Sequence, residues 1–299
     1  MTSASAGDPA GAEEDRGSAQ SARDRALPFA AAVLFLALVL PILAVRLHFY
    51  LETPRYSHCV LLPVVAALWI WDRSDRLAAV PRGPSWRGFV CLTAGALAFV
   101  YGRMVPNNMA QHLAMLLTLA GTLWAVMGAA MLRALAFPLG YLLLMVPLKP
   151  WDEAVIQPLQ RLAAVMAERF FQALGWVVVR QGNVLQLPRL KLLVEEGCSG
   201  VHSLFALFAL GVAYVAFVER PLWLRITLVA ATIPITVLAN AIRVGVTGVL
   251  AYKVDPAYAQ GVSHQTAGMI VFGIGVALLL AVDWCLKPDA PSAEPDAGV

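Results

Sequence analysis

The chain has 299 residues, of which 60% are hydrophobic and 14% charged, and its mean hydropathy is +0.71. A soluble globular chain is usually about half apolar and a quarter charged, so this composition excludes a soluble enzyme or binding module and indicates a polytopic membrane protein. The net charge of +3, without a basic stripe carrying interleaved aromatic residues, argues against a nucleic-acid partner.

Both ends of the chain have the composition of disordered tails. Residues 1–26 are rich in Ser, Ala, Gly and charged residues, which cannot bury a core, and we expect a disordered cytoplasmic tail there. This stretch is too long and too acidic for a signal peptide. Residues 287–299 predict a second, shorter tail, so that the transmembrane domain occupies 27–286.

About eight apolar segments fill that domain and predict an all-α polytopic bundle of about eight transmembrane helices. Their approximate ranges are 27–47, 58–72, 86–102, 109–132, 134–148, 199–218, 222–243 and 265–286. A perpendicular span needs roughly 20 residues. The segments 58–72 and 134–148 are shorter than that, which leaves open whether they cross the bilayer fully.

The distribution of Lys and Arg in the short loops predicts that both termini are cytoplasmic, since such residues favour the inner side. The connection 149–198 is then extracytoplasmic. Within it, 154–175 predicts an amphipathic helix on the outer surface of the membrane. The apolar face of this helix is expected to carry Val155, Leu159, Leu162, Met166 and Phe170.

A β-hairpin is expected after this helix. Two β-prone runs, 177–180 and 184–187, flank the pair Gly182-Asn183, a pattern typical of a tight hairpin turn. Residues 190–194 extend the hairpin and lead towards Cys198. The extracytoplasmic segment is therefore predicted to combine one helix with a short hairpin.

Three residue types suited to acyl transfer fall on one predicted membrane face. Cys198 opens the sixth span, Arg243 ends the seventh and His264 opens the eighth. A helix N-terminus lowers the pKa of a thiol and favours the nucleophilic thiolate. A histidine can pass the thiol proton to a leaving amine, and an arginine offers forked donors to an oxyanion.

Further residues could support this site. His202 lies one helical turn after Cys198 and could serve as the base in place of His264, and His58 could line the same pocket. Glu196 could orient Arg243 or His264, or recognise a basic residue of a substrate, and Asn240 could hydrogen-bond Arg243.

Each of these residues also has a structural interpretation. A lone cysteine at a helix start usually packs, a boundary arginine usually anchors by snorkelling, and Glu196 can be a solvated boundary residue. Asn240 can serve as an interhelical hydrogen bonder. Cys59 is a possible disulfide partner of Cys198. The histidines form no tight ligand pair, so neither a metal site nor a cofactor is expected.

The motifs around these residues resemble those of the exosortase/archaeosortase family, and the resemblance covers about residues 50–285. Its motifs are Glu196-Gly197-Cys198-Ser199-Gly200, Asn240-Ala241-Ile242-Arg243-Val244, His264 followed by Gly268, and Tyr56-Ser57-His58. The chain departs from the family pattern in two places. Cys59 stands where glycine usually follows the early motif, and His202 stands where arginine or another polar residue is common.

The resemblance implies a membrane cysteine protease or transpeptidase with Cys198 as nucleophile, His264 as acid/base and Arg243 as transition-state stabiliser. Its partners would be the lipid bilayer and membrane-anchored substrate proteins with a C-terminal sorting helix of the PEP-CTERM type. The site would face outward from the bacterial inner membrane. Competing hypotheses are a transporter or lipid-handling protein with polar residues along a path, and a module that uses the histidines to bind a metal or haem.

Overall fold

The computed structural model describes residues 44, 47–105, 107–147, 149–188, 190–194, 201–255 and 261–287. The chain divides into two compact units, Met1–Pro147 and Leu148–Val299. Some of the predicted features lie outside the described residues: the tail 1–26, all but the first residue of the tail 287–299, most of the first apolar segment, and the residues Glu196 and Cys198.

In the first unit, the described chain from Pro54 onward is helical apart from short connections. A 3₁₀ segment, Pro54–Val60, precedes helix α1 (Leu62–Asp72) and the short α2 (Ser74–Ala78). Then follow α3 (Trp86–Met104), α4 (Asn108–Met127), α5 (Ala129–Ala134), α6 (Ala136–Leu142) and a 3₁₀ turn, Leu143–Met145. The predicted segment 109–132 is divided, because Gly128 has φ = 90° and ends α4.

Helices α3 and α4 form a closely packed antiparallel pair. Glycines spaced seven residues apart on α3 lie against residues with the same spacing on α4, in the pairs Gly88 with Ala125, Gly95 with Thr118 and Gly102 with Gln111. A Cβ at Gly95 would stand only 2.7 Å from the backbone nitrogen of Thr118. Small residues at such contacts let helix backbones approach in a membrane, and the seven-residue period is typical of left-handed helix packing.

The two short apolar segments form helices that are too short to span a bilayer alone. Helix α1 has 11 residues, which corresponds to about 16 Å at the α-helical rise, against a hydrocarbon core of about 30 Å. The apolar helical stretch Ala136–Met145 is also short. The two pack together through Trp69 and Phe137, whose ring centroids are 5.2 Å apart.

Among the described residues, three helices are long and apolar enough to cross a membrane: Asn108–Met127, Leu222–Lys253 and Thr266–Leu286. The helical membrane architecture with a small sheet is therefore confirmed. The count of about eight spans stays a prediction.

The second unit begins with α7 (Lys149–Ala173), the helix expected at 154–175. Two residues of the expected apolar face, Leu162 and Phe170, are 42% and 41% exposed, so the placement of that face on the membrane surface stays a prediction. The face that packs against the protein is displaced from it by about one residue and consists of Ile156, Gln160, Ala163, Ala164, Ala167 and Phe171. The alanines on this face let the helix pack close to its neighbours. A search of the sequence for large apolar residues overlooks such a face.

A three-stranded antiparallel sheet follows, with strands in the order β1 (Val179–Gln181), β2 (Val184–Leu187) and β3 (Leu190–Leu193). Gln181 pairs with Val184, so that Gly182 and Asn183 form the two-residue turn. Gly182 has φ = 62° while Asn183 has no positive φ, the pattern of a type II′ hairpin turn. The predicted hairpin is confirmed, and 190–194 does extend it.

Three helices complete the second unit: α8 (Val201–Phe217), α9 (Leu222–Lys253) and α10 (Gly261–Leu286). The helix that carries Arg243 is longer than the predicted segment 222–243, because α9 continues for ten more residues to Lys253. That the membrane span ends at Arg243 stays a prediction. The extension of α9 packs against α7 and the sheet. Gly248 lies against Phe171 and Leu192, and Gly245 lies against Phe170. These contacts stabilise the helix beyond Arg243, the charged residue at which the predicted apolar segment 222–243 ends.

A partly buried ion pair links the loop after the C-terminal end of α8 to the C-terminal end of α10. Arg220 donates to Asp283 through Nε (2.9 Å to Oδ1) and Nη2 (2.8 Å to Oδ2), and Tyr214 donates to Oδ2 at 2.8 Å. The side chain of Asp283 is 6% exposed. The loop between α8 and α9 is thereby held to the end of α10.

Candidate active site

A stripe of buried polar residues runs along one face of α9. Its members recur at spacings of three and four residues and are at most 9% exposed: Thr232, Thr236, Asn240, Arg243 and Thr247. Such spacing keeps residues on one helix face. Asn240 and Arg243, both expected in the site, therefore face the packed side of the second unit.

Arg243 lies against α10 at Gly268. A Cβ built on Gly268 would stand 3.3 Å from Nη1 of the guanidinium, a distance tighter than most real Cβ contacts. The absence of a side chain at Gly268 makes room for the charged group. Gly268 comes four residues after His264, which is one helical turn or about 6 Å along the axis.

His264 belongs to the first turn of α10, although its side chain lies outside the described residues. The Arg243–Gly268 contact brings Arg243 to the turn of α10 that follows His264. Arg243 and His264, two of the three predicted catalytic residues, therefore lie on neighbouring helices, about one helical turn apart along the axis of α10.

The third predicted residue, Cys198, comes three residues before the first residue of α8, Val201, and lies outside the described residues. His202 is the second residue of α8 and is half-buried. On the other side of Cys198, Val194 is 1% exposed and its N–H donates to the carbonyl of Asn183 at 2.9 Å. The chain is thus anchored four residues before Cys198 and again three residues after it.

The anchor before Cys198 is shared with α9. Leu192 and Val194 belong to the buried cluster that also contains Phe171 of α7 and Val244 of α9, the residue next to Arg243. One helix thereby supports both Arg243 and the strand that leads to Cys198. Sequence patterns did not reveal this relation, because it depends on the α9 extension.

A small cavity lies deeper between the same three helices. Its volume is about 10 Å³, and it is lined by Ser203, Leu207, Thr236, Ala239, Val271, Phe272 and Gly275. That is about the space of one water molecule. On α9, Thr236 lies seven residues before Arg243, and on α10, Gly275 lies seven residues after Gly268. Each interval corresponds to about 10 Å along the helix axis. Neither the cavity nor its hydroxyl groups were anticipated.

His58 lies in the first unit, in the 3₁₀ segment Pro54–Val60, and is half-buried. The neighbouring thiol of Cys59 is fully buried and free, with Sγ 3.8 Å from both Nε2 of His58 and the carbonyl of Leu144. This burial supports a packing role for Cys59.

Another histidine, His112, shares the surroundings of the early motif. His112 is 3% exposed, its Nδ1 lies 2.6 Å from the carbonyl of Asn108, and its ring lies 5.9 Å from Phe49. Phe49 in turn stacks on Tyr56 at 5.6 Å. The Tyr56-Ser57-His58 segment is therefore held in place by aromatic packing against Phe49.

Among the described residues, no three His, Cys, Asp or Glu side chains gather closely enough to hold a metal ion. In the second unit, the buried guanidinium of Arg243 on α9 lies against α10, the helix that carries His264. This is an arrangement suited to stabilising a developing negative charge.

Comparison with curated proteins and with solved structures gives no match. A family model of transmembrane exosortases matches residues 50–281, a range that includes the early aromatic motif, the helix–sheet segment, Arg243 and Gly268. The match covers most of both units and agrees with the apolar helices described above. The chain therefore belongs to the transmembrane exosortase family, and its function is related to protein sorting at a membrane.

Proposed function

We propose that this protein is a membrane cysteine protease or transpeptidase that removes C-terminal sorting signals from secreted proteins. The observation that carries the proposal is the contact of Arg243 with Gly268, one turn after His264. It supports a shared site for Arg243 and His264, two groups that acyl transfer requires. Both belong to the cluster of α8, α9 and α10, and α8 begins three residues after Cys198.

The substrate would be a protein held in the bilayer by a C-terminal apolar helix, with a short recognition segment just outside. The Cys198 thiolate attacks a peptide carbonyl in that segment, and the carbonyl oxygen takes the negative charge. Arg243 stabilises this oxyanion through its N–H donors. The C–N bond then breaks, His264 protonates the departing amine, and a thioester remains on Cys198.

Water or an amine resolves the thioester, giving hydrolysis or transpeptidation, and no cofactor is required for either outcome. His202 is the alternative base, one turn after Cys198. Asn240, Glu196 and His58 are supporting residues in this proposal, with Asn240 three residues before Arg243 on the same buried face.

The proposed location is the inner membrane of a bacterium, with about eight spans, both termini in the cytoplasm and the site on the outer face. This orientation rests on the distribution of Lys and Arg in the short loops, which favours the inner side for both termini.

A transporter or lipid-handling protein is the second candidate, since buried polar residues along a helix can line a path. Two observations weigh against it. Thr232 and Thr236 donate to carbonyls of their own helix, Val229 at 2.6 Å and Thr232 at 2.7 Å, so the deep part of the stripe is satisfied internally. The cavity beside Thr236 has room for about one water molecule, which is small for a transport path.

The test is co-expression with a secreted reporter that ends in a PEP-CTERM-like tail. We expect the wild-type chain to shorten the reporter, and Cys198→Ala and Cys198→Ser to leave it intact. Cys285→Ala is the matched control, because Cys285 is an exposed thiol at the far end of α10. Shortening that persists in both Cys198 variants would refute the cysteine mechanism.

A further inference from the structure

Strand β3 forms an edge of the sheet in the second unit. The N–H of Val194 donates to the carbonyl of Asn183, the turn residue that precedes β2. Strand β3 continues this antiparallel register, with Leu192 opposite Leu185. Hydrogen-bonding residues alternate along an antiparallel strand. Leu192 and Val194 therefore face β2, whereas the N–H and C=O groups of Lys191 and Leu193 point away from it.

This edge is open within the described part of the chain. The side chain of Leu193 is 50% exposed and that of Lys191 is exposed. The outward main-chain groups of these two residues hydrogen-bond to none of the described residues. A strand edge with unpaired N–H and C=O groups is a template for another extended chain.

We propose that the β3 edge binds the recognition segment of the substrate as a fourth strand. This inference rests on the proposed function and names where its substrate binds. Strand addition of this kind gives affinity through main-chain hydrogen bonds. Cys198 comes five residues after Leu193, at most about 18 Å in an extended chain, so a bound strand of similar length reaches the nucleophile.

The positive charge of Lys191 at this edge favours a bound segment that carries an acidic side chain. Lys191 lies opposite Gln186 in a non-hydrogen-bonded pair, whose side chains project from the same face of the sheet. Leu185 and Leu192 occupy the opposite, buried face. Lys191 is exposed and forms no ion pair with any described residue, and in this proposal it pairs with an acidic side chain of the substrate.

The main-chain contact is tested by comparing Leu193→Pro with Leu193→Ala. Proline removes the outward N–H and leaves the bonds to β2, because edge strands tolerate proline at such positions. Alanine removes the exposed side chain and keeps the N–H. We expect Leu193→Pro to raise KM for the reporter by about tenfold, the effect of losing one or two net hydrogen bonds, and Leu193→Ala to change it by less than about threefold.

The charge is tested by Lys191→Glu and Lys191→Gln. We expect Lys191→Glu to weaken cleavage of a reporter with an acidic recognition residue more than Lys191→Gln does. A reporter with lysine at that position should reverse the order. Equal cleavage of both reporters by both variants would contradict the acidic preference.

Binding is measured separately from cleavage by placing a photocrosslinker at position 193 of the Cys198→Ala chain. We expect a crosslink to the recognition segment of the reporter, and none from position 179 on the other edge of the sheet. Cleavage that depends on Cys198, without a crosslink from 193, would overturn the β3 site and leave the proposed function standing.

A crosslink from 193 without any Cys198-dependent cleavage would support the strand site and reject the proposed chemistry. A crosslink from 193 to a second copy of this chain instead of the reporter would identify the edge as a dimer contact and overturn the substrate proposal. Unchanged reporter KM in Leu193→Pro would also overturn it, provided that its melting temperature matches that of Leu193→Ala.

Discussion

The guanidinium of Arg243 rests against the backbone of Gly268, where a Cβ would stand 3.3 Å from Nη1. Arginine inside an apolar helix is costly unless its charge is accommodated. A glycine on the facing helix accommodates it by leaving space. The contact also holds the charged group near the turn of α10 that carries His264.

The first prediction concerns Gly268→Ala. The added methyl group would push the flexible end of Arg243 aside, which costs little stability but moves the donors away from the proposed oxyanion. At 3.3 Å the guanidinium needs to move by only a few tenths of an ångström, whereas a misplacement of about 1 Å can cost on the order of 100-fold. We therefore expect single-turnover cleavage to fall by about three- to tenfold, roughly the effect of a partial misplacement, with a melting temperature close to that of the wild type.

Gly273→Ala is the matched control for this change. It adds the same methyl group to the same helix, where nothing lies within 4 Å of the new Cβ. Equal rates for Gly268→Ala and Gly273→Ala would show that the position of Arg243 does not depend on Gly268.

The second prediction concerns the forked donors of Arg243. Lysine keeps the positive charge but presents a single ammonium group rather than a planar fork. We expect Arg243→Lys to reduce kcat by about 100- to 1000-fold, as loss of an oxyanion donor typically does, with little change in KM. Full activity of Arg243→Lys would mean that charge alone, without the fork, is sufficient.

The third prediction concerns the contact between Gly248 of α9 and Phe171 of α7. A Cβ at Gly248 would overlap Cζ of Phe171 and stand 3.3 Å from Leu192. We expect Gly248→Ala to destabilise the unit by about 1–3 kcal/mol, the usual cost of overpacking, and to slow cleavage because the strand leading to Cys198 shifts.

A second substitution tests the cause of that effect. Phe171→Leu removes the overlapping ring atom, so we expect the Gly248→Ala/Phe171→Leu pair to recover stability and rate relative to Gly248→Ala. Non-additivity in the double-mutant cycle measures this coupling. Additive losses would mean that Gly248 and Phe171 act independently.

The fourth prediction concerns the Arg220–Asp283 pair at the other end of α8 and α10. Removing one partner leaves the other charge without its partner in a largely buried place. We expect Asp283→Asn to lower the melting temperature clearly, and Tyr214→Phe to lower it less because one hydrogen bond is lost. The cleavage rate of the folded fraction should stay near the wild-type value, since these residues lie far from Arg243 along the helices.

Much of the second unit could be predicted from local pattern. The apolar run at 199–218 corresponds to α8, Val201–Phe217, and the Gly182-Asn183 pair marks the hairpin turn. The residue types and spacing around Arg243 and His264 identified both as site candidates. Local signals suffice here because each feature depends on a few consecutive residues.

Other features depend on contacts between distant residues and could not be predicted. The extension of α9 beyond Arg243 is stabilised by α7 and the sheet, so the charge that breaks the apolar run does not end the helix. The middle of the buried face of α7 consists of the alanines Ala163, Ala164 and Ala167, whose burial follows from close approach of the helix rather than from large apolar side chains. Likewise, Gly268 has a role only in relation to Arg243.

The most direct test of the central claim is to trap the acyl-enzyme during reporter cleavage and map its attachment by mass spectrometry. We expect an adduct on Cys198 that neutral hydroxylamine releases, that accumulates when the reaction is quenched early, and that Cys198→Ser lacks. An adduct on Cys59, Cys91 or Cys285, or cleavage by the Cys198→Ala chain, would contradict it.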